Sequence, residues 1–181
     1  PPPSREGVKR VLLFMNEVAG GRKSVTAARE LADTGADYFA VVAPQNQPAV
    51  GRVVDTDEIR DAAQSRVDVT QSVLAEFGLE SEGAVLDPDP SLALDDAVRA
   101  VKPDYVLLSA LYETRFGWTR KDLVEWAKAA LGARGVRVEH IPVRVDDDAV
   151  RWDVTHVLVV GTKTVNSPDL LKRLKERAKQ K

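Results

Sequence analysis

The chain contains no cysteine. Disulfides and thiolate metal sites are therefore excluded, and a cytoplasmic location is expected. It has only two histidines, His140 and His156, so a multi-histidine metal centre within one chain is not expected. Aromatic residues are scarce, at 6%. Neither sign of charge dominates: the net charge is -2, and no nucleic-acid partner is indicated by a basic surface. No apolar run approaches the roughly 20 residues that span a bilayer, so no membrane partner is expected. Residues 1–7, opening on Pro1, Pro2 and Pro3, read as a disordered lead without a signal-peptide pattern.

What is present is Ala, Val and Leu, within a hydrophobic content of 44%. That mix suits buried parallel strands with helices laid on them. Val8 to Met15 reads as a buried strand, followed by a loop through Gly20 and Gly21. Val25, Ala28, Leu31 and Ala32 then recur at helical spacing up to Gly35. Tyr38 to Ala43 is a second strand. A long helix begins near Asp57, with Ile59, Ala63, Val67, Thr70, Leu74 and Phe77 on one face and Gly78 as its stop. Glu82 to Leu86 is a third strand. Asp89 caps a helix with Pro90 at its first position, and Leu92, Ala93, Ala97 and Val101 form its stripe. Tyr105 to Leu108 is the fourth strand. Thr119 and Asp122 open a further helix whose core side carries Leu123, Trp126, Ala127 and Ala130. Val136 to Val143 is the fifth strand. Such alternation predicts right-handed βαβ crossovers and one parallel sheet, a Rossmann-like α/β architecture.

After a charged linker at 146–153, Val154 to Val160 forms a sixth apolar run, and Ser167-Pro168-Asp169 opens a last helix. The segment 154–181 echoes the first βα unit: Val25, Ala28 and Ala32 fall on Leu171, Leu174 and Ala178 without gaps. It reads either as the start of a second repeat or as an ordinary βα unit. A lone unit of this kind must dock on its own domain or on another chain, so a homodimer is expected. The basic residues of the last helix, among them Lys172, Arg173 and Lys175, read mainly as a solvated face.

The order strand, long helix, Asp87-Pro88-Asp89-Pro90 helix, Tyr105-Val106-Leu107-Leu108-Ser109 strand, loop, helix and closing strand is similar to that of universal stress proteins. The resemblance covers Val8 to Val143 and is closest to a divergent branch of the tandem type seen in actinobacteria. It implies a three-layer α/β/α domain over 8–145 with a five-stranded parallel sheet in the order 3-2-1-4-5. It also implies ATP or AMP held by residues at Met15, Asn16 and Glu17, at Val42 and Ala43, and in the loop Ser109 to Trp118. In that loop the family's ATP-binding members carry Gly-x2-Gly-x9-Gly-Ser/Thr, whereas this chain has Gly117 alone.

In an open parallel sheet, ligands sit beyond the carboxyl ends of the strands where the strand order reverses. That rule brings the loops at Asn16–Gly21 and Ser109–Trp118 together. Gly20 and Gly21 allow close backbone approach at a helix N-terminus, and Arg22, Lys23, Arg115 and Arg120 supply positive charge. Trp118 offers a stacking surface. The candidate ligand-binding residues are Asn16, Gly20, Gly21, Val42, Ser109, Arg115, Gly117 and Trp118. The ordinary alternative is a plain turn with solvated arginines. Asp87 and Asp89 read as capping residues, and Asp146 to Asp148 lack a calcium-loop pattern. Ser109 lacks the Gly-x-Ser-x-Gly elbow of a hydrolase. Three readings follow: a non-catalytic, stress-responsive domain binding a nucleotide or other phosphorylated small molecule; a ligand-free assembly module; and a nucleotide hydrolase or adenylyl-transfer relative. No activated nucleophile or matched acid-base pair supports the last.

Overall fold

The computed structural model describes residues 2–46, 55–111, 119–143, 145–146 and 149–150. Strand β1 (Arg10–Met15) is followed by α1 (Arg22–Asp33), β2 (Tyr38–Pro44), α2 (Thr56–Glu76), β3 (Glu82–Leu86), α3 (Pro90–Val101), β4 (Tyr105–Leu111), α4 (Thr119–Gly132) and β5 (Arg137–Val143). These strands form one sheet in the order β3-β2-β1-β4-β5, and every pairing is parallel. This is the architecture expected from the alternation. Two short antiparallel strands, β6 (Val145–Asp146) and β7 (Ala149–Val150), lie where the sequence reads as a charged linker. The repeat-like segment 154–181 lies outside the described residues.

Successive side chains of a strand point to opposite faces, so the apolar run of β1 feeds two cores. Val11, Leu13 and Met15 pack with Val25, Ala28 and Leu31 of α1 and with Ala63, Val67 and Leu74 of α2. Leu12 and Phe14 pack on the other face with Ala93, Leu94, Ala97 and Val98 of α3 and Leu123, Ala127 and Leu131 of α4. The buried faces differ from the predicted stripes at two points. Leu92 is 57% exposed, because it lies roughly opposite the centre of the face built by Ala93, Leu94, Ala97 and Val98. Phe77 is the C-cap of α2, outside the helix proper, and is 46% exposed.

Local signals end the helices where expected. The Asp89 carboxylate accepts from the Ser91 and Leu92 N–H groups, satisfying donors that the first turn leaves open. Gly78 follows α2 at φ +75°, a left-handed conformation that favours glycine. Helix α2 has 21 residues, hence ~31 Å of length at 1.5 Å per residue. Strand β3, with five residues, spans only ~17 Å. Arg66, midway along α2, bonds the Pro44 carbonyl at the end of β2. The first ten or so residues of α2 therefore rise beyond the carboxyl edge of the sheet.

At the opposite edge, Asp104 gathers the strand starts. Its carboxylate accepts from the Lys9 and Arg10 N–H groups, each at 2.9 Å. Its own N–H donates to the Arg10 carbonyl, and its carbonyl accepts from Arg137 N–H. Residues near the amino terminus add a strap: Arg5 pairs with Glu30 and Glu139, and the Arg137 guanidinium donates to the carbonyls of Ser4 and Glu6.

Candidate functional site

Strand order reverses between β1 and β4, so the carboxyl ends of these two strands form the crevice that the fold reserves for ligands. The Asn16 N–H donates to the Ser109 carbonyl at 3.1 Å, which extends the β1–β4 ladder by one residue and sets the crevice floor. Asn16 and Glu17 are buried there, as are Ser109 and Ser24. The hydroxyls of Ser24, in the first turn of α1, and Ser109, in β4, lie 2.9 Å apart. This contact fastens the start of α1 over the end of β4.

Gly21 is the N-cap of α1, in extended backbone, and no side chain caps the helix. The first turn of α1 carries no acidic residue, so its partial positive charge is not offset within the helix. Gly20 has a different setting. Its N–H donates to the Thr70 hydroxyl at 2.7 Å, and a Cβ at this position would lie 2.7 Å from Thr70 Cγ2. Its lack of a side chain admits α2. Val42 sits in the core of the α3–α4 face, beside Phe14 in the sheet register. Of the eight candidate residues, Arg115, Gly117 and Trp118 lie outside the described residues.

Arg22 and Lys23, expected to add positive charge here, line an open cleft of about 440 Å³ between α1 and β5. Arg5, Glu139, His140 and Pro142 also border it. His140 is half-buried; burial pushes its pKa down, against the contact with the Ala110 carbonyl.

Three polar residues that the sequence reading passed over complete the site. Arg66 is 5% exposed. Its Nη2 donates to the Pro44 carbonyl at 2.6 Å and to Asn46 Oδ1 at 2.9 Å. Asn46 Nδ2 in turn donates to Asn16 Oδ1 at 2.9 Å. Burial lowers the Arg66 pKa to about 10, with the nearby Glu17 carboxylate acting in the opposite direction. Among the described residues, Arg66 Nε and Nη1 have no hydrogen-bond partner. Thr70, which holds Gly20, donates its own hydroxyl proton to the Arg66 carbonyl. Arg66 and Thr70 bracket Val67 on the apolar stripe of α2, and Ser24 stands four residues before Ala28. Helical spacing places Arg66 and Ser24 inward, as it does Thr70 of the expected stripe, but the polar character of Arg66 and Ser24 concealed them.

The arrangement is rich in hydrogen-bond donors and holds one buried cation beside one carboxylate. Among the described residues, no group of three or more His, Asp or Glu could hold a metal ion. Nor is any of their helices long and apolar enough to cross a membrane.

No protein-family model matches the chain. No curated protein matches it. Solved structures do. A universal stress protein from Archaeoglobus fulgidus aligns with a TM-score of 0.51 at 20% identity, covering 74% of this chain and 93% of that one. A protein of the universal stress protein family from Burkholderia pseudomallei gives 0.46 at 18% identity, covering 78% of this chain and 99% of that one. A universal stress protein in complex with cAMP gives 0.46 at 15% identity, covering 75% of this chain and 98% of that one. The strand order and the Archaeoglobus alignment together define a doubly wound α/β domain. Its fold is universal stress protein-like.

Proposed function

We propose that the chain is a non-catalytic domain that binds a nucleotide or other phosphorylated small molecule at the carboxyl ends of β1 and β4. It would act in a stress response through self-association or partner contacts. The observation that carries this reading is the convergence of Asn16, Ser24, Ser109 and the uncapped start of α1 on the crevice where strand order reverses. Such a place suits an anionic ligand, because backbone N–H groups and the helix dipole both favour negative charge. Arg115, Gly117 and Trp118, which follow β4 in sequence, are proposed as further ligand contacts.

The test is calorimetric titration with ATP, AMP and cAMP, paired with thermal melting. Saturating ligand at about 100 times its Kd should stabilise the protein by about 2.7 kcal/mol. Native mass spectrometry on the same material would report any co-purified ligand and the number of subunits. The segment 154–181 is proposed to mediate self-association; a purely monomeric full-length chain would contradict that part.

A second reading has its own observation. Ser24 and Ser109 bond each other, and Asn16, Asn46 and Arg66 form a continuous chain of hydrogen bonds. Polar groups so engaged also suit a ligand-free assembly module. An unchanged melting temperature with every nucleotide, in a stably associated protein, would decide for it.

A further inference from the structure

The amide orientations in the crevice follow from one residue. Arginine is a donor only, with no acceptor lone pair. The atom of Asn46 that faces Arg66 Nη2 at 2.9 Å must therefore be its carbonyl oxygen. The amide nitrogen of Asn46 then points the other way, 2.9 Å from Asn16, and there it must meet an oxygen. Asn16 consequently spends its Oδ1 on Asn46 and is left with Nδ2, a donor, as the remaining end of its amide. Asparagine oxygens and nitrogens are assigned from such networks, and here a fixed cation leaves one self-consistent assignment. Arg66 is itself 5% exposed, and its Nε and Nη1 lack hydrogen-bond partners among the described residues. The crevice end of this network is thus the Asn16 Nδ2 donor, beside the buried Glu17 carboxylate that neighbours Arg66.

We infer that Arg66 is a positioning residue which, through Asn46, fixes Asn16 as a hydrogen-bond donor, so that the site selects its ligand by an acceptor atom. The acceptor could be a nucleobase ring nitrogen or a phosphoryl oxygen, and both belong to the ligand class proposed above, on which this inference rests.

The test uses three forms of the full chain: wild type, N16D and N46D. Asn16→Asp is nearly isosteric and still accepts from Asn46, but its donor end becomes a charged acceptor; uncharged adenosine therefore separates loss of the donor from repulsion of the phosphate. Asn46→Asp still accepts from Arg66 but has no proton to give Asn16, which frees the Asn16 amide to turn. Binding of AMP, adenosine and inorganic phosphate would be measured by calorimetry, with melting curves to check folding. N16D should bind AMP at least about tenfold more weakly than wild type, and N46D should lose a smaller factor. In wild type, AMP should shift the side-chain amide NMR signals of Asn16 more than those of Asn46, a readout that a purely structural role would not produce. Adenosine and phosphate, tested singly, identify which part of AMP supplies the acceptor. Equal AMP affinity in wild type and a folded N16D would overturn the inference and leave the proposed function standing. Absence of binding by wild type to all three probes at millimolar concentration would overturn both.

Discussion

Tyr105 shows how one side chain can be tuned by its place at a strand start. It is fully buried, and its hydroxyl donates to Glu139 at 2.6 Å. Burial and the Glu139 carboxylate push its pKa up to about 12, against the opposing influence of Arg5. The protonated phenol is the form the fold favours. The resulting stability is fully present below the ordinary tyrosine pKa of about 10 and is lost as pH rises through about 12. Phenolate absorbance should show a late-titrating component that Tyr105→Phe removes, at a stability cost of about 1 kcal/mol. Gly20 makes a steric prediction. An added methyl group would meet Thr70 Cγ2 at 2.7 Å, so Gly20→Ala should destabilise by about 1–3 kcal/mol in denaturant titration. The same substitution should shift the loop that carries Asn16, and nucleotide affinity should fall with it.

Elements were the most legible level of this sequence. Strand–helix alternation, the Asp89-Pro90 start and the Gly78 stop each rest on local chemistry that a sequence displays openly. Asp89→Ala should therefore cost about 1 kcal/mol in thermal melts, since two first-turn N–H groups lose their acceptor. Helix faces were legible only where apolar residues marked them. In α3 the contact face is built partly from alanines, and small residues define a stripe poorly, which is why Leu92 was placed inward. In α2 the signal was present and misread: Arg66 lies at helical spacing from Ala63 and Thr70, yet a charged residue is ordinarily assigned to solvent. The site was accordingly half legible. Asn16 and Ser109 follow from topology, because strand ends at the reversal of order are predictable. Asn46 depends on side-chain partners distant in sequence, and no local pattern announces it.

At the scale of the whole molecule, two groups among the described residues with depressed pKa values, His140 and Asp104, bear on the acid response. Burial holds His140 below its ordinary value of 6.5, so its contribution is present above that pH and is lost as pH falls through the folded value. For Asp104, burial acts upward, but the backbone N–H groups of Arg10 and Lys9 outweigh it and hold the carboxyl below 3.8. Its contribution disappears at still lower pH. Melting temperature should therefore decline in two stages on acidification, beginning below about pH 6.5; Asp104→Asn should remove most of the second stage. The position of β4 has a consequence for biogenesis. This strand pairs with β1, and the register joins Val11 to Tyr105. During synthesis, β1 and β2 can pair and take α1 and α2 onto one side long before the ribosome has made β4. Until α3 is made, the flank bearing Leu12, Phe14, Ala40 and Val42 has no cover, and that cover is completed only when α4 follows β4. The nascent chain is consequently a half-clad sheet for much of its translation, and that interval is when chaperones have an apolar surface to hold.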